Sequence, residues 1–278
     1  MVIKNLASTT GAEVVSCFLG AFANYFAPLS QDEHYWLRRW EGASIDWELS
    51  FGAFHQKKLV GFVLHGIGLC QQKKTTFNIG TGVLPAFRGQ RIVQQLYDYG
   101  LPLLKVKGLE QAGLEVITEN TIAIKAYQKV GFEIQRELRC FSGMPQGFML
   151  HNGWQKEIEV HTPIQPKWEA YQKLVDYSFS WENKRAAMEI LKEDFSFFEL
   201  YEYDKLAAYS VFNIQNGYIA QFGMENKAAG HALLKHLSQK MSMMRINNVD
   251  ATSTTMIQFW ESVGMKNVLN QYEMKMRL

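Results

Sequence analysis

The sequence lacks the features that mark several classes of protein. No apolar run reaches the ~18 residues of a membrane-spanning helix, and no basic N-terminal segment precedes an apolar core as in a signal peptide. The formal net charge of +2 is too small to indicate binding to nucleic acid or to acidic membranes. We therefore expect a globular protein of the cytoplasm with no nucleic-acid or membrane partner, and the oligomeric state stays open.

Cysteine is also scarce. The three cysteines, Cys17, Cys70 and Cys140, lie far apart and lack the spacing of metal ligands. Free thiols suit a reducing compartment, and a cysteine in this setting is expected to be a small buried side chain rather than a nucleophile. The sequence therefore predicts no bound metal.

One stretch, residues 77–96, is unusually informative. Its first part reads as a strand that contains Gly80 and Gly82, and glycine within a strand often marks a bulge or the close approach of a ligand. Pro85 ends the strand, and residues 88–91 are predicted to open a helix. The first amides of a helix point outward, with the positive end of its dipole behind them. Because two arginines flank this turn, it predicts a phosphate site.

Spacing excludes two common phosphate loops. The Lys-Ser/Thr pair of a Walker loop is absent, and the glycines do not fit a dinucleotide fingerprint. The turn resembles instead the coenzyme A loop of the GNAT superfamily of acyltransferases, Arg/Gln-x-x-Gly-x-Gly/Ala. Arg88 matches the first position, whereas Arg91 and Val93 stand at the two later small positions. The alternative is a surface helix start with solvated arginines.

A second motif follows at the expected distance. Residues 114–117 read as a strand, and the next segment resembles the GNAT signature Asn-x-x-Ala-x-x-x-Tyr-x-x-x-Gly-Phe at each position. The matching residues are Asn120, Ala123, Tyr127, Gly131 and Phe132. Two motifs in the family's order identify a GNAT domain, which implies a mixed α/β fold with a twisted mixed β-sheet flanked by helices.

The C-terminal half resembles a degenerate second copy of the first half. The paired segments are Lys58–Phe62 with Lys205–Tyr209, Gly82 with Gly223, and Gly131 with Gly264. Apolar and glycine positions are kept and polar ones are lost, as in Arg88 to Ala229, Asn120 to Ser253 and Tyr127 to Trp260. We predict two tandem GNAT-like domains, a catalytic one at 1–150 and a degenerate one at 156–278.

The resemblance implies how the co-substrate acetyl-CoA binds the first domain. A bulge separates two central parallel strands, and the pantetheine arm lies in the gap like an added strand. The residues so implied are Thr81, Gly82 and Val83 in the strand, and Arg88, Gly89, Gln90, Arg91, Ile92 and Val93 around the pyrophosphate. At Arg91 we expect a helical backbone, which tolerates a side chain. Asn120 is open to two roles, a hydrogen bond to the coenzyme arm or a helix N-cap.

The resemblance also implies that Tyr127 protonates the departing thiolate. Ordinary pKa values of about 10 for tyrosine and about 8.5 for a thiol make full transfer unfavourable by about 2 kcal/mol, so Tyr127 would act by hydrogen bonding to the sulfur as charge develops. The alternative is a packed core tyrosine. A general base is not evident, because no Asp or Glu lies between Glu48 and Asp98. His65, Glu48 and Glu115 are candidates that also fit a strand surface, a turn and a sheet edge.

Two predicted helices precede these motifs, at about residues 10–26 and 31–41. The second carries Tyr35, Trp36 and Trp40, which are either walls of an acceptor pocket or plain core. Together these features predict an N-acetyltransferase that moves an acetyl group from acetyl-CoA to a primary amine of a small molecule or peptide, by direct attack. The alternative is a non-catalytic acyl-CoA-binding regulator.

Overall fold

The computed structural model describes residues 1–23, 29–148 and 158–278. The chain forms two compact units, one of Met1–Gln135 with Tyr272–Leu278 and one of Arg136–Gln271. These bounds differ from the predicted domains 1–150 and 156–278, and the predicted boundary itself lies outside the described residues. The difference arises from pairing between strands that are far apart in sequence, which leaves no signal in a linear pattern.

The described residues of the first unit form five strands and four helices before its C-terminal strand. In chain order these are β1 (Val2–Asn5), α1 (Gly11–Ala21), α2 (Glu33–Gly42), β2 (Phe51–His55), β3 (Lys58–Cys70), β4 (Lys73–Val83), a 3-10 turn (Pro85–Phe87), α3 (Ile92–Val106), β5 (Gln111–Ile117) and α4 (Thr121–Val130). Its sheet has the order β1-β2-β3-β4-β5, and the C-terminal strand β12 (Lys266–Arg277) follows β5. Strands β1 to β4 are antiparallel, and β4 and β5 are parallel. A parallel pair needs a long crossover, which α3 provides.

Local sequence explains where the first helices begin. Thr10 and Glu13 form a capping box, in which the Thr10 hydroxyl accepts from the Glu13 N–H at 3.2 Å. Asp32 caps α2 by accepting from the His34 N–H at 2.9 Å. The predicted helix 10–26 is observed to Ala21, and Phe26 lies outside the described residues.

The sheet of the first unit has a core on each face. Alternate residues of β3 point to opposite sides: Val63 packs with α3 and α4, whereas Phe62 and Leu64 pack with α1 and α2. Trp36 and Trp40 are buried in the second cluster, with Trp36 4.4 Å from the Phe18 ring. Of the two alternatives for these tryptophans, the structure supports core.

The second unit repeats this plan. Its elements are β6 (Glu133–Gly143), which begins in the first unit, β7 (Ile158–His161), α5 (Trp168–Tyr171), α6 (Arg185–Ile190), β8 (Ser196–Glu202), β9 (Lys205–Asn213), β10 (Tyr218–Met224), α7 (Lys227–Ser238), β11 (Met244–Asp250) and α8 (Thr254–Ser262). Strands β8, β9 and β10 are antiparallel, and β10 and β11 are parallel. This is the pairing order of β2 to β5, so the predicted tandem GNAT-like fold is confirmed. None of the helices in the described ranges is both long and apolar enough to cross a membrane.

Candidate active site

The two central parallel strands of the first unit separate part of the way along their length. Their last paired residues are Asn78 and Leu114, although β4 continues to Val83 and β5 to Ile117. The separation coincides with a bulge at Ile79, where the register of β4 with β3 shifts. Residues Thr81–Val83 still pair with β3, so their other edge faces a gap that can accept an added strand.

The turn after β4 ends at an uncapped helix. Helix α3 begins at Ile92 rather than at Arg88, and none of the described side chains caps its first amides. Gly89 and Arg91 both have left-handed backbone, with φ of 77° and 58°. The expectation of a helical backbone at Arg91 is therefore wrong, because the helix starts one residue later. The amides of residues 92 and 93 make no bond to the side chain of the N-cap residue, and a phosphate site at this turn stays a prediction.

Arg88 has a structural role in this turn. Its Nε donates to the Val83 carbonyl oxygen at 3.2 Å, and its Nη2 donates to the Ala21 carbonyl oxygen at 2.8 Å. The side chain thus ties the end of β4 to the end of α1. A contact between Arg88 and a phosphate stays a prediction.

The second predicted motif lies on α4, the helix that follows β5. Asn120 caps α4, because its Oδ1 accepts from the Ala123 N–H at 3.2 Å. Of its two open roles the structure shows the N-cap, and the bond to the coenzyme arm stays a prediction. Tyr127 lies on the buried face of α4 with 9% of its surface exposed, 6.0 Å edge-to-face from Phe132.

A buried polar cluster under the gap was missed by the sequence analysis. Asn78 Nδ2 donates to the Thr81 hydroxyl at 2.7 Å and to the Tyr97 hydroxyl at 2.8 Å. The Tyr97 ring, on α3, also packs edge-to-face on Phe132, with the ring centroids 5.7 Å apart. Burial and then the nearby Tyr127 phenol raise the pKa of Tyr97. The available signal was an asparagine between the apolar residues Phe77 and Ile79, where a strand buried on both faces would have a third apolar side chain.

His65 is the buried member of the three base candidates. Its Nδ1 lies 2.6 Å from the Leu49 carbonyl oxygen, so Nδ1 carries the proton and donates. Burial lowers the pKa of His65 to about 4, which keeps the ring neutral at physiological pH. Glu48 is exposed and Glu115 is half-buried on β5. No base is assigned.

The second unit has the same strand separation. Pairing of β10 with β11 ends at Ile219 and Ile246, and β10 is bulged at Ala220 in the way that β4 is bulged at Ile79. Here, however, the chain fills the gap with its own residues 176–183. The Asn183 carbonyl oxygen accepts from Gln221 of β10 at 2.6 Å, and its Nδ2 donates to the Asn247 carbonyl oxygen of β11 at 3.3 Å.

Further contacts fix this internal segment at its other end. The Ser253 hydroxyl donates to Asp176 at 2.6 Å, Asn248 donates to the Ser180 hydroxyl at 3.2 Å, and Arg136 donates to the Ser178 carbonyl oxygen at 2.7 Å. The side chains of Ser253, Asn248 and Arg136 thus make hydrogen bonds to residues 176–183 of the chain itself.

The equivalents of the predicted site residues are also changed in chemistry. Asn226 caps α7 by accepting from the Ala229 N–H at 3.0 Å, so this helix start is not left open. Trp260 is fully buried, and its indole N–H has no acceptor among the described residues. The second unit has kept the strand-and-helix framework, but its equivalents of Arg88 and Tyr127 are Ala229 and Trp260.

Comparison with known proteins connects part of the first unit with a family. Residues 17–132 match the model of the acetyltransferase (GNAT) family, and a search of curated proteins found no match. Among solved structures, a GCN5-related N-acetyltransferase from Sphaerobacter thermophilus superimposes with a TM-score of 0.72 at 11% identity, over 99% of this chain and 95% of that one. A GCN5-related N-acetyltransferase from Anabaena variabilis superimposes with a TM-score of 0.66 at 12% identity, over 99% of this chain and 72% of that one.

A tandem GNAT protein from the clavulanic acid biosynthesis pathway covers both units. It superimposes with a TM-score of 0.68 at 12% identity, over 99% of this chain and 98% of that one. At these identities the likeness concerns the fold. The first unit thus contains a segment that matches the acetyltransferase (GNAT) family, and the strand separation and the repeated unit give the chain the fold of a tandem GNAT protein.

Proposed function

We propose that the first unit transfers an acetyl group from acetyl-CoA to a primary amine. The observation that carries the proposal is the gap between β4 and β5, from which β4 leads through the turn to the uncapped start of α3, with Tyr127 on the buried face of α4. Backbone groups of Thr81–Val83 suit the amide-rich arm of the coenzyme, and the amides of residues 89–93 suit its pyrophosphate. The acceptor is an amine on a small molecule or peptide.

The reaction is a direct attack. The neutral amine forms a C–N bond to the acetyl carbonyl carbon, the C–S bond breaks with its electron pair going to sulfur, and the nitrogen loses a proton to solvent. Tyr127 hydrogen-bonds the sulfur as negative charge develops, which contributes roughly 10²- to 10⁴-fold. Cys17 and Cys140 are buried, and burial raises the pKa of the Cys17 thiol to about 12, so the proposal uses no acyl-enzyme.

The second unit is proposed to bind no coenzyme. Its gap holds residues 176–183, and its helix start is capped by Asn226. A cytoplasmic location, predicted from the scarce cysteines, is retained in the proposal.

The test is release of free coenzyme A from acetyl-CoA in the presence of a panel of primary amines. We expect amine-dependent release by the wild-type protein and a loss of about 10²-fold or more in Tyr127→Phe, with the affinity for acetyl-CoA unchanged. Tyr99→Phe is the matched control, since Tyr99 is an exposed tyrosine on α3. Binding of acetyl-CoA without release for any amine would favour the regulatory module instead.

A further inference from the structure

The bulge in β4 carries a side-chain bond that the strand pairing does not supply. The Gly80 N–H lies just beyond the bulge at Ile79, where β4 has left β5, and it donates to the Asn78 Oδ1 at 3.0 Å. The bond links residues two apart in the chain. Asn78 thus satisfies a backbone donor at the point where the gap opens.

The other end of the Asn78 amide connects two elements. One Nδ2 hydrogen goes to the Thr81 hydroxyl, three residues further along β4, and the second goes to the Tyr97 hydroxyl on α3. The orientation of the amide follows from these partners, because the reverse orientation would place Nδ2 against the Gly80 N–H. Asn78 is 7% exposed and Tyr97 is 1% exposed, so these bonds are shielded from water.

The second unit supplies an internal comparison. Its equivalent bulge at Ala220 follows Ile219, which is fully buried and apolar. The bulge therefore forms without an asparagine, and the fold does not need one. The unit that has an open gap keeps the polar clamp, and the unit that fills its gap with its own chain has lost it.

We propose that Asn78, held by Tyr97, is a positioning residue for the acyl donor. The amide fixes the bulged end of β4, so that Thr81–Val83 present their free edge in one conformation before the acyl-CoA arrives. Binding then orders less of the backbone, and ordering is a main cost of association. This inference rests on the proposed function, because it takes acyl-CoA as the ligand of the gap.

The same clamp extends toward Tyr127. The rings of Tyr97 and Tyr127 both contact the Phe132 ring, with centroids 5.7 and 6.0 Å from it, and the Tyr127 phenol contributes to the raised pKa of Tyr97. A shift of the Tyr97 hydroxyl would move Phe132 and with it the wall against which Tyr127 packs. Loss of the clamp should thus affect turnover as well as affinity.

The experiment compares three variants of the full chain by calorimetric titration with acetyl-CoA. Asn78→Leu removes the amide at nearly constant shape, Tyr97→Phe removes one hydroxyl, and Tyr99→Phe is the control on the same helix. We expect affinity to fall about tenfold or more in Asn78→Leu, severalfold in Tyr97→Phe, and not at all in Tyr99→Phe. Amide hydrogen exchange at residues 80–83 should rise in the first two variants only.

Each outcome has a separate meaning. Wild-type affinity and wild-type exchange in Asn78→Leu and Tyr97→Phe, whatever their melting temperatures, would overturn the inference and leave the proposed function standing. If the wild-type protein itself binds no acetyl-CoA, the proposed function fails and this inference fails with it. If Asn78→Leu does not fold, the result for Tyr97→Phe alone decides the inference, because this substitution removes only the hydroxyl and keeps the aromatic ring at position 97.

Discussion

Arg91 occupies a backbone conformation that glycine adopts more easily, and this predicts a stabilising substitution. Its φ of 58° and ψ of 27° lie in the left-handed region, which costs a residue with a side chain roughly 1–2 kcal/mol. Glycine relieves that cost but adds about 0.5–1 kcal/mol of unfolded-state entropy. Arg91→Gly should therefore raise the free energy of unfolding by about 0.5–1 kcal/mol, or the melting temperature by about 2 °C.

The neighbouring Gly89 supplies the reverse test. Its φ is 77°, and a Cβ built there meets nothing within 4 Å. Gly89→Ala therefore adds backbone strain without a steric clash, and we expect it to lower the free energy of unfolding by about 1 kcal/mol. Arg91→Ala is the control, because it removes the charge and keeps the left-handed backbone. Its stability should stay within about 0.5 kcal/mol of the wild type.

Binding of acetyl-CoA to the same three variants distinguishes the effect of the Arg91 charge from the effect of its backbone conformation. If the guanidinium of Arg91 contacts a phosphate, Arg91→Gly and Arg91→Ala should weaken acetyl-CoA binding by the same factor, about fivefold for an exposed pair worth about 1 kcal/mol. Thermal melting and calorimetry of the three variants provide both quantities. Equal stabilisation by Arg91→Gly and Arg91→Ala would refute the strain argument.

Three further predictions concern the site and the second unit. Burial lowers the pKa of His65 to about 4 from about 6.5 in the unfolded chain. The neutral ring therefore stabilises the fold fully above pH ~6.5, and about 3 kcal/mol of the free energy of unfolding is lost as the pH falls to 4 and below. The melting temperatures of wild type and His65→Gln should converge as the pH falls, and a constant difference between them would contradict this. Calorimetry should give one acetyl-CoA per chain, and a second site of similar affinity would show that residues 176–183 do not block the gap. Trp260→Phe removes an indole N–H without an acceptor and should change the free energy of unfolding by less than Phe259→Ala, for which about 3–5 kcal/mol is expected.

Much of the fold was predictable because its signals are local. The two motifs of the first unit lie on a strand, a turn and a helix in the predicted order, and the first helix begins next to Thr10, where the apolar pattern predicts it. The internal repeat was visible because glycine and apolar positions keep their order. Separation of the two central parallel strands followed from the resemblance, and the structure shows it beyond Asn78 and Leu114.

The rest depends on contacts between distant residues. Arg88 reaches the Ala21 carbonyl oxygen, and Asn78 reaches Tyr97, through geometry that no spacing rule encodes. The left-handed backbone of Arg91 depends on where the helix begins, and helix ends are poorly fixed by propensity alone. The sequence also contained no sign that the C-terminal residues Tyr272–Leu278 belong to the first unit, because the whole second unit separates them from the rest of it.

The place of the C-terminal strand in the first unit has a consequence for synthesis on the ribosome. Residues Tyr272–Leu278 follow every residue of Arg136–Gln271 in sequence, so the first sheet lacks the strand next to β5 until the second unit has been translated. At about 5–20 residues per second this delay lasts roughly ten seconds. During it the outer edge of β5 has unpaired backbone groups, which is the kind of edge that recruits other chains. A gene fragment that stops at residue 135 would make that transient edge permanent, whereas a fragment in which residues 272–278 are fused back after a short linker would restore the missing strand.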